Sequence, residues 1–307
     1  MTVPGLNGKG YDMNIIVFGS LNIDRVYRTE HLVREGETIS SLSFSQNPGG
    51  KGINQAVALS RAGQKVIFAG ACGRDGELLQ QFLEKEQVDT RFLRVLDTPT
   101  GHAVIQVDQQ GRNCILLYGG ANQEVTPDMI ARTLEQCPQG SLLLMQNEIS
   151  NGEFLIRYAI ARGLHVVLNP SPVTEEMKRW PLDLVDLFVL NETEGLGLTG
   201  ASDPEKILDL MMLKYPRTRV LLTLGEKGAV YTDGMQRVHQ PIFRVSAVDT
   251  TAAGDTFTGY FLAEALRGAN VRDAMRVAAR AAAIAVTRPG AAESIPKREE
   301  LTGSFPE

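Results

Sequence analysis

The sequence predicts an α/β protein with a doubly wound, mostly parallel β-sheet, helices on both of its faces, and a small β-sheet beside it. Near-continuous apolar strands alternate with helical patterns along most of the 307 residues, which is typical of a parallel sheet covered on both faces. Two other stretches, residues 24–46 and 100–118, alternate polar and apolar residues, a pattern that favours half-exposed strands. Such strands do not belong inside a doubly wound sheet, so a second sheet is needed.

The individual elements follow from apolar runs and their terminating residues. Glycines at positions 63, 163 and 268 stand where helical patterns stop, as glycine commonly does at helix ends. The predicted strands cover residues 14–19, 65–71, 141–146, 165–169, 187–190, 220–224 and 243–248. The predicted helices cover residues 52–62, 77–87, 152–162 and 271–286, with a further helix that starts near 255 and stops at 268.

The small sheet is predicted to stand off the main domain as a lid. Residues 100–118 form a hairpin signal whose turn is the QQG at 109–111, and residues 24–46 would supply the remaining strands. We expect one domain over residues 13–307 and a flexible, glycine-rich tail over residues 1–12. Because a small sheet with exposed edges favours a partner, a homodimer through the lid is expected.

Composition excludes several classes of function. A net charge of −5 and a pI near 5.6 argue against a nucleic-acid or anionic-membrane surface. No apolar run approaches the length of roughly 18–20 residues that a membrane span needs, and no secretory signal pattern is evident. Cys72, Cys114 and Cys137 are far apart and odd in number, which predicts buried, unreactive thiols in a reducing cytoplasm.

Residues 247–257, AVDTTAAGDTF, carry the most chemical information. An apolar lead-in (Phe243, Val245, Val248) ends at Asp249, small residues follow, and a helical pattern begins at Asp255. Small residues let the backbone approach a ligand closely, and free N–H groups at a helix start attract an anion. An anion hole beside a carboxylate base suits phosphoryl transfer to a hydroxyl. The alternative is an ordinary helix cap, in which the acids serve only the helix dipole.

Polar residues also follow nearly every predicted strand of the large sheet. Open parallel sheets bind ligands at the carboxyl ends of their strands, so these residues are expected to converge on one site. The groups that follow successive strands are Ser20, Asn22 and Asp24; Asn147 and Glu148; Pro170, Ser171 and Pro172; Asn191, Glu192 and Glu194; Gly225, Glu226, Lys227 and Gly228; and Asp249 and Asp255.

Two glycine-rich stretches need separate interpretations. The GGKGIN at 49–54 precedes a helix, so its backbone can approach a small polar ligand, although a plain turn would have the same composition. It is not a P-loop, because no Ser or Thr follows Lys51. The GLGLTG at 195–200 matches a dinucleotide fingerprint, but NETE separates it from the strand, which argues against a nicotinamide site.

These motifs together resemble the ribokinase branch of the phosphofructokinase-B-type sugar kinases over residues 14–301. The resemblance rests on N-x-D at 22–24, GGKGINQA at 49–56, NETE at 191–194, TLGEKG at 223–228 and DTTAAGDTF at 249–257. It implies ATP-dependent phosphorylation of D-ribose at O5, by in-line transfer without a covalent intermediate. The alternatives are a kinase of 2-deoxyribose or another small sugar or nucleoside, and a sugar-binding regulator without catalysis.

The resemblance also implies a role for individual residues. Asp255 would be the base, and the amides of Ala252, Ala253 and Gly254 would stabilise the charge that develops on the γ-phosphate. The sugar would be bound by Asn22, Asp24, Gly50, Lys51, Gly52, Asn54, Glu148 and Asp255. The nucleotide would be bound by Asn191, Glu194, Thr223, Gly225, Gly228 and Gly254, with Asn191 and Glu194 helping to place Mg²⁺.

An activating K⁺ ion is implied as well. Its ligands would be the carboxylate of Asp249, the carbonyls of Thr251, Ala285, Arg288 and Gly290, and the hydroxyl of Ser294; the alternative is that these are plain turn carbonyls. One residue departs from the family pattern: Ala279 stands where the family often carries Asn or His near the adenine, so the base contact is left unassigned.

Overall fold

The computed structural model of the chain describes residues 14–302. The predicted tail at residues 1–12 lies outside the described residues. The strands are β1 (Ile15–Phe18), β2 (Asn22–Arg28), β3 (Ser43–Gly49), β4 (Val66–Gly73), β5 (Asp89–Leu96), β6 (His102–Val107), β7 (Asn113–Tyr118), β8 (Leu142–Gln146), β9 (His165–Asn169), β10 (Leu187–Asn191), β11 (Arg219–Thr223), β12 (Ala229–Thr232) and β13 (Arg237–Gln240). The α-helices are α1 (Lys51–Arg61), α2 (Glu77–Lys85), α3 (Pro127–Leu134), α4 (Gly152–Ala161), α5 (Glu192–Thr199), α6 (Pro204–Lys214), α7 (Ala253–Leu266) and α8 (Val271–Ala285).

The predicted doubly wound sheet is confirmed. It has nine strands in the order β13-β12-β11-β10-β9-β8-β1-β4-β5. All pairs from β5 to β11 are parallel, and β12 and β13 add an antiparallel edge. The chain reverses its direction of winding at β1, which pairs with β4 on one side and β8 on the other. The crevice at such a switch point is where open α/β sheets bind ligands.

Helices cover both faces of this sheet. Helices α1, α2, α7 and α8 pack in the core on one face, and α3, α4, α5 and α6 pack in the core on the other. Strand β1 contributes side chains to both cores, because successive residues of a strand point to opposite faces. Ile15 and Val17 face the first core, and Ile16 and Phe18 face the second. A strand that is buried on both faces reads as a continuous apolar run. None of the described helices is long and apolar enough to cross a membrane.

The small sheet has the order β3-β2-β6-β7 and holds both stretches that the polar–apolar alternation singled out. It is mixed rather than antiparallel throughout, since β2 and β6 pair in parallel between two antiparallel pairs. Strand β2 leaves β1 after only three residues, so the first polar residues of the small sheet stand directly over the end of β1. Residues 29–42, between β2 and β3, form no strand.

Two expectations are wrong. Residues 243–248 are not a strand: the amides of Val248 and Asp249 donate instead to the carbonyl of Val286, at 2.7 and 3.1 Å, and Val248 is 67% exposed. The apolar alternation there belongs to a loop in which Phe243 packs against the core. Of the cysteines, Cys72 and Cys137 are buried but Cys114 is exposed, because it lies on β7, whose residues are all exposed.

Candidate active site

Helix α7 begins at the edge of the crevice, directly after a tight turn. Ala252 precedes the helix in the left-handed conformation, at φ 58°, which is uncommon for a residue with a side chain. The Ala253 amide donates to the Thr250 carbonyl at 3.3 Å. A Cβ added to Gly254 would meet no atom within 4 Å, so this turn opens onto free space. The first turn of α7 is therefore accessible to an anion.

Asp255 lies in that first turn and is only 8% exposed. Both of its carboxylate oxygens accept hydrogen bonds from α1: Asn54 Nδ2 donates to Oδ2 at 3.0 Å, and Gln55 Nε2 donates to Oδ1 at 2.8 Å. The two helices can approach this closely because Gly259 lies against Ala58, where an added Cβ would be 2.4 Å from the Ala58 methyl group. The helix contact thus fixes the carboxylate.

Glycines bring the start of α1 onto the end of β1. Gly50 has φ 93°, and a Cβ on Gly52 would lie 2.5 Å from the backbone of Ser20. This contact lets Ser20 cap α1 from another element, since its Oγ accepts from the Gly52 amide at 3.3 Å. The same hydroxyl donates to Glu148, which follows β8. The Lys51 amide donates to the same Glu148 oxygen at 3.2 Å.

Lys51 and Glu148 form a charged pair within the crevice. Burial opposes the charge on Lys51, but the carboxylates of Asp255, Glu148 and Glu194 outweigh it, so the pKa of Lys51 is raised. Burial likewise raises the pKa of Glu148, although Lys51 opposes that shift. The carboxylates of the site can accept hydrogen bonds from hydroxyl groups, and the Lys51 ammonium can attract a negative charge.

Asn22 and Asp24 project from β2. Burial, and then the charge of Glu148, raise the pKa of Asp24 to about 6. Asn22 is held by Asn122, whose Nδ2 donates to Asn22 Oδ1 at 2.9 Å and to the Leu21 carbonyl at 3.0 Å. Because its oxygen is engaged in this way, Asn22 presents its own NH₂ group as the donor for a ligand.

The residues expected to bind the nucleotide follow strands β10 and β11. Asn191 and Glu194 form a capping box at the start of α5, with the Glu194 amide donating to Asn191 Oδ1 and the Asn191 amide donating to Glu194 Oε2, both at 2.9 Å. Thr223 ends the neighbouring strand β11. Gly225 and Gly228 have positive φ, and a Cβ on Gly228 would lie 2.0 Å from the Gln240 carbonyl oxygen. Ala279, within α8, is buried in the core and offers only a methyl group.

The two loops of the expected cation site are joined by a hydrogen bond. Gly290 donates its amide to Asp249 Oδ2 at 3.0 Å, and Thr251 donates its amide and hydroxyl to Oδ1 at 2.9 and 2.6 Å. Burial alone would raise the pKa of Asp249, but these hydrogen bonds lower it. The Ala285 carbonyl accepts from the Arg288 amide, and buried Ser294 donates its hydroxyl to the Ala291 carbonyl. The donor set is entirely oxygen, as a hard cation requires.

A single pocket unites several of the predicted residues. Those that line it are Lys51, Asn191, Glu194, Thr223, Ala252, Ala253, Gly254 and Asp255, together with Asn169, Val189, Leu190, Thr250 and Thr258. Asn54 and Glu148 adjoin the pocket through their contacts with Asp255 and with the Lys51 amide. Asn22, Asp24, Gly50 and Gly52 lie outside this lining, as do Gly225, Gly228 and the expected cation ligands, although Thr250, between two of those ligands, belongs to it.

Four buried amide residues at the site were not singled out from the sequence: Gln55, Asn122, Gln146 and Asn169. Gln55 lies inside the GGKGINQA motif, next to Asn54. Gln146 and Asn169 are the last residues of their strands, so the polar end of an apolar run was a usable signal. Asn122 had no comparable signal, because it follows the hairpin in a short 3₁₀ helix (Gly120–Glu124).

Comparisons with known proteins agree with this geometry. The sequence model of the pfkB family carbohydrate kinases matches residues 12–298. A ribokinase of Haemophilus influenzae is 36% identical over 299 residues, covering 93% of this chain and 96% of that protein. A deoxyribokinase of Salmonella typhi is 34% identical over 298 residues, covering 94% and 97%. The structure of Arabidopsis thaliana ribokinase complexed with ribose and ATP superposes with a TM-score of 0.82 at 30% identity, covering 95% of this chain and 98% of that one. The chain therefore belongs to the pfkB family of carbohydrate kinases.

Proposed function

We propose that this kinase transfers the γ-phosphoryl group of ATP to O5 of D-ribose, giving ribose 5-phosphate. The observation that carries the proposal is Asp255, a buried carboxylate in the first turn of α7, held by two amide side chains and adjoining an open helix start. The ribokinase relatives support ribose as the sugar and ATP as the phosphoryl donor. The similar structure from Arabidopsis thaliana is a complex with ribose and ATP.

The sugar would lie between the small sheet and the ends of β1 and β8. Asp24 and Glu148 would accept hydrogen bonds from its hydroxyls, while Asn22, Lys51 and Asn54 would donate. The backbone of Gly50 and Gly52 can approach the sugar closely. The small sheet would act as a lid that expels water on closure. Loss of one such hydrogen bond should cost about 1–3 kcal/mol of binding free energy, because its partner is left unpaired.

Asp255 would accept the proton of the sugar's primary hydroxyl as O5 attacks phosphorus. The developing negative charge on the γ-phosphate would be stabilised by the amides at the start of α7, at Ala252, Ala253 and Gly254, and by the helix dipole. The Ala253 amide would have to leave its 3.3 Å contact with Thr250. The open space in front of Gly254 is where the phosphoryl group would pass.

ATP would extend from α7 along Asn191, Thr223, Gly225 and Gly228. The carboxylate of Glu194, buried beside Lys51 and Asn169, fits a role in placing Mg²⁺ through water, together with Asn191. When bound, Mg²⁺ neutralises charge on the phosphates. The residues of the chain would orient the phosphates and hold water out of the site.

A K⁺ ion fits the oxygen donors of the two loops: the Asp249 carboxylate, the carbonyls of Thr251, Ala285, Arg288 and Gly290, and the Ser294 hydroxyl. A bound cation would offset the charge of Asp249 and stabilise the turn that precedes α7. Replacing K⁺ by Na⁺ at equal ionic strength should then lower both turnover and the melting temperature. Unchanged values for both would contradict this part of the proposal.

The test of the base is Asp255→Asn. Turnover should fall by about 10²–10⁴-fold, while ribose binding measured by calorimetry without ATP stays close to that of the unchanged chain. Asp97→Asn is a matched control, because the Asp97 side chain is exposed and does not line the pocket. Wild-type turnover by Asp255→Asn would refute the mechanism. Absence of turnover by the unchanged chain, with ribose still bound, would instead favour the sugar-binding regulator.

A second candidate substrate is 2-deoxyribose, favoured by the deoxyribokinase relative at 34% identity. The two sugars differ only in the 2-hydroxyl, so the comparison of kcat/KM for each decides between them. A site that hydrogen-bonds the 2-hydroxyl should prefer ribose clearly, because its polar group would be left unpaired by the deoxy sugar.

The lid also suggests an assembly, a homodimer. Strand β7 is exposed along its whole length, with Ile115 and Leu117 more than half exposed on one side and Leu116 71% exposed on the other. An apolar edge strand of this kind favours pairing or packing with a second copy. Light scattering at micromolar concentration should give twice the chain mass; a monomer would refute this.

The free cysteines Cys72, Cys114 and Cys137 of the described part suit a reducing compartment such as the cytoplasm, where ATP is also present.

A further inference from the structure

Two buried glutamines extend from Asp255 into the protein as a chain of hydrogen bonds. Gln55 Nε2 donates to Asp255 Oδ1 at 2.8 Å, and Gln146 Nε2 donates to Gln55 Oε1 at 2.6 Å. Both glutamines are 1% exposed, and neither lines the pocket. They therefore cannot bind the sugar or the nucleotide directly. Gln55 Nε2 also donates to Asn169 Oδ1, a residue of the pocket lining, at the longer distance of 3.4 Å. The shorter bond to Asp255 is the stronger of the two, so a contribution to the reaction would pass mainly through the carboxylate of Asp255.

The direction of this glutamine chain is fixed from its carboxylate end. An ionised carboxylate only accepts hydrogen bonds, so Gln55 must turn its NH₂ group toward Asp255 and its carbonyl oxygen toward Gln146. Gln146 must then offer its own NH₂ group. Its carbonyl oxygen is left without a hydrogen-bond partner among residues 14–302 and lies against Gly19, where an added Cβ would be 2.1 Å away.

An unpaired buried carbonyl lowers stability, so stability alone does not explain this arrangement. The arrangement does serve the carboxylate, because it gives each oxygen of Asp255 one donor from α1. Asn54 holds Oδ2 from the side of the sugar pocket, and Gln55 holds Oδ1 from the interior. Together the two donors fix the rotation of the carboxylate about its Cβ–Cγ bond. The charges that face it are Lys51 and Glu148.

We infer that Gln55, oriented by Gln146, is a positioning residue for the base. Its hydrogen bond keeps one lone pair of Asp255 directed at the sugar hydroxyl. This inference rests on the proposed role of Asp255. It adds that the glutamine chain determines how well that base is aligned.

The first test is Gln55→Leu, which keeps the approximate volume and removes the donor. We expect kcat for ribose to fall by about 10–100-fold because the carboxylate is no longer aligned, with the ribose KM changed less than about threefold. A lower melting temperature with unchanged kcat would overturn the inference.

The second test removes the support that Gln146 gives to Gln55. In Gln146→Met no side chain at this position donates to Gln55 Oε1, so the Gln55 amide is free to rotate away from Asp255. A fall in kcat without a comparable change in the ribose KM is expected again. The matched control is Gln136→Met, the same substitution on the exposed surface, which should leave both quantities unchanged.

These variants separate the inference from the proposed function. If Gln55→Leu does not fold, the result for Gln146→Met decides, because methionine is close to glutamine in size. An inactive Asp255→Asn beside a Gln146→Met with wild-type kcat would overturn the positioning role alone. An active Asp255→Asn would overturn the base and the positioning role together.

Discussion

Asp24 should make sugar use depend on pH near neutrality. Burial, and then the neighbouring charge of Glu148, raise its pKa from 3.8 to about 6. Sugar hydroxyls would donate to this carboxylate, so its ionised form is the one that binds. Because kcat/KM reports the ionisation of the free enzyme, kcat/KM for ribose should fall about tenfold for each pH unit below about 6.

The same pKa shift has the opposite consequence for stability. The pKa of Asp24 is higher in the folded chain than in the unfolded chain, so its contribution to stability falls as the pH rises through the window from about 4 to about 6, and stays lost above it. A shift of about two units corresponds to about 3 kcal/mol. Asp24→Asn should therefore increase the free energy of unfolding at pH 7, by up to about that amount, while it impairs sugar use.

The assay is kcat/KM for ribose from pH 5 to 8, with melting temperatures measured in the same buffers. Asp24→Asn should lower kcat/KM at pH 7, flatten its fall toward pH 5 and melt at a higher temperature. The exposed Asp97→Asn should leave all three quantities unchanged. The role of Asp24 would be refuted if the kcat/KM of the unchanged chain stayed constant between pH 7 and pH 5. An equally steep fall of kcat/KM in Asp24→Asn would refute it as well.

Three further substitutions test the geometry. Gly254→Ala places a methyl group in the open space at the start of α7, where the phosphoryl group is proposed to pass. ATP turnover should therefore fall sharply, while the melting temperature stays within about 1 °C. A large loss of stability would contradict this. Gly259→Ala forces a methyl group against Ala58 and its backbone, and should cost about 1–3 kcal/mol of unfolding free energy in a denaturant titration; an unchanged midpoint would count against the tight helix contact. Asn122→Leu frees Asn22 to rotate, so the ribose KM should rise about tenfold; an unchanged KM would show that Asn22 needs no such support.

Much of the fold could be predicted because the large sheet is buried on both faces. Residues 15–18 alternate between two apolar cores, and such strands give uninterrupted apolar runs that end in polar residues. The lid could be predicted for the opposite reason, since its strands alternate. Strands β5, β12 and β13 and helices α3 and α6 were not assigned. The strand expected at 243–248 was wrong because three alternating apolar residues do not reveal that the local amides bond to Val286.

The site was predictable only where residues share a motif. Asn54 and Asp255 each stand in a recognisable glycine-rich or small-residue sequence, and their side chains are hydrogen-bonded. Gln146 lies 91 positions from Gln55, and no local pattern links the two. Only the placement of β8 beside β1, with α1 packed above, brings these glutamines to Asp255. Long-range side-chain contacts of this kind depend on the topology of the sheet rather than on composition or spacing.

Phosphorylation of ribose by ATP can be measured with an ADP-release assay. The assay would contain ATP, Mg²⁺ and K⁺, with ribose, 2-deoxyribose, fructose, other pentoses and nucleosides as separate substrates. We expect the highest kcat/KM for ribose. A higher value for another sugar or a nucleoside would contradict the assignment of the sugar pocket, and no ADP release with any of them would contradict the proposed kinase itself.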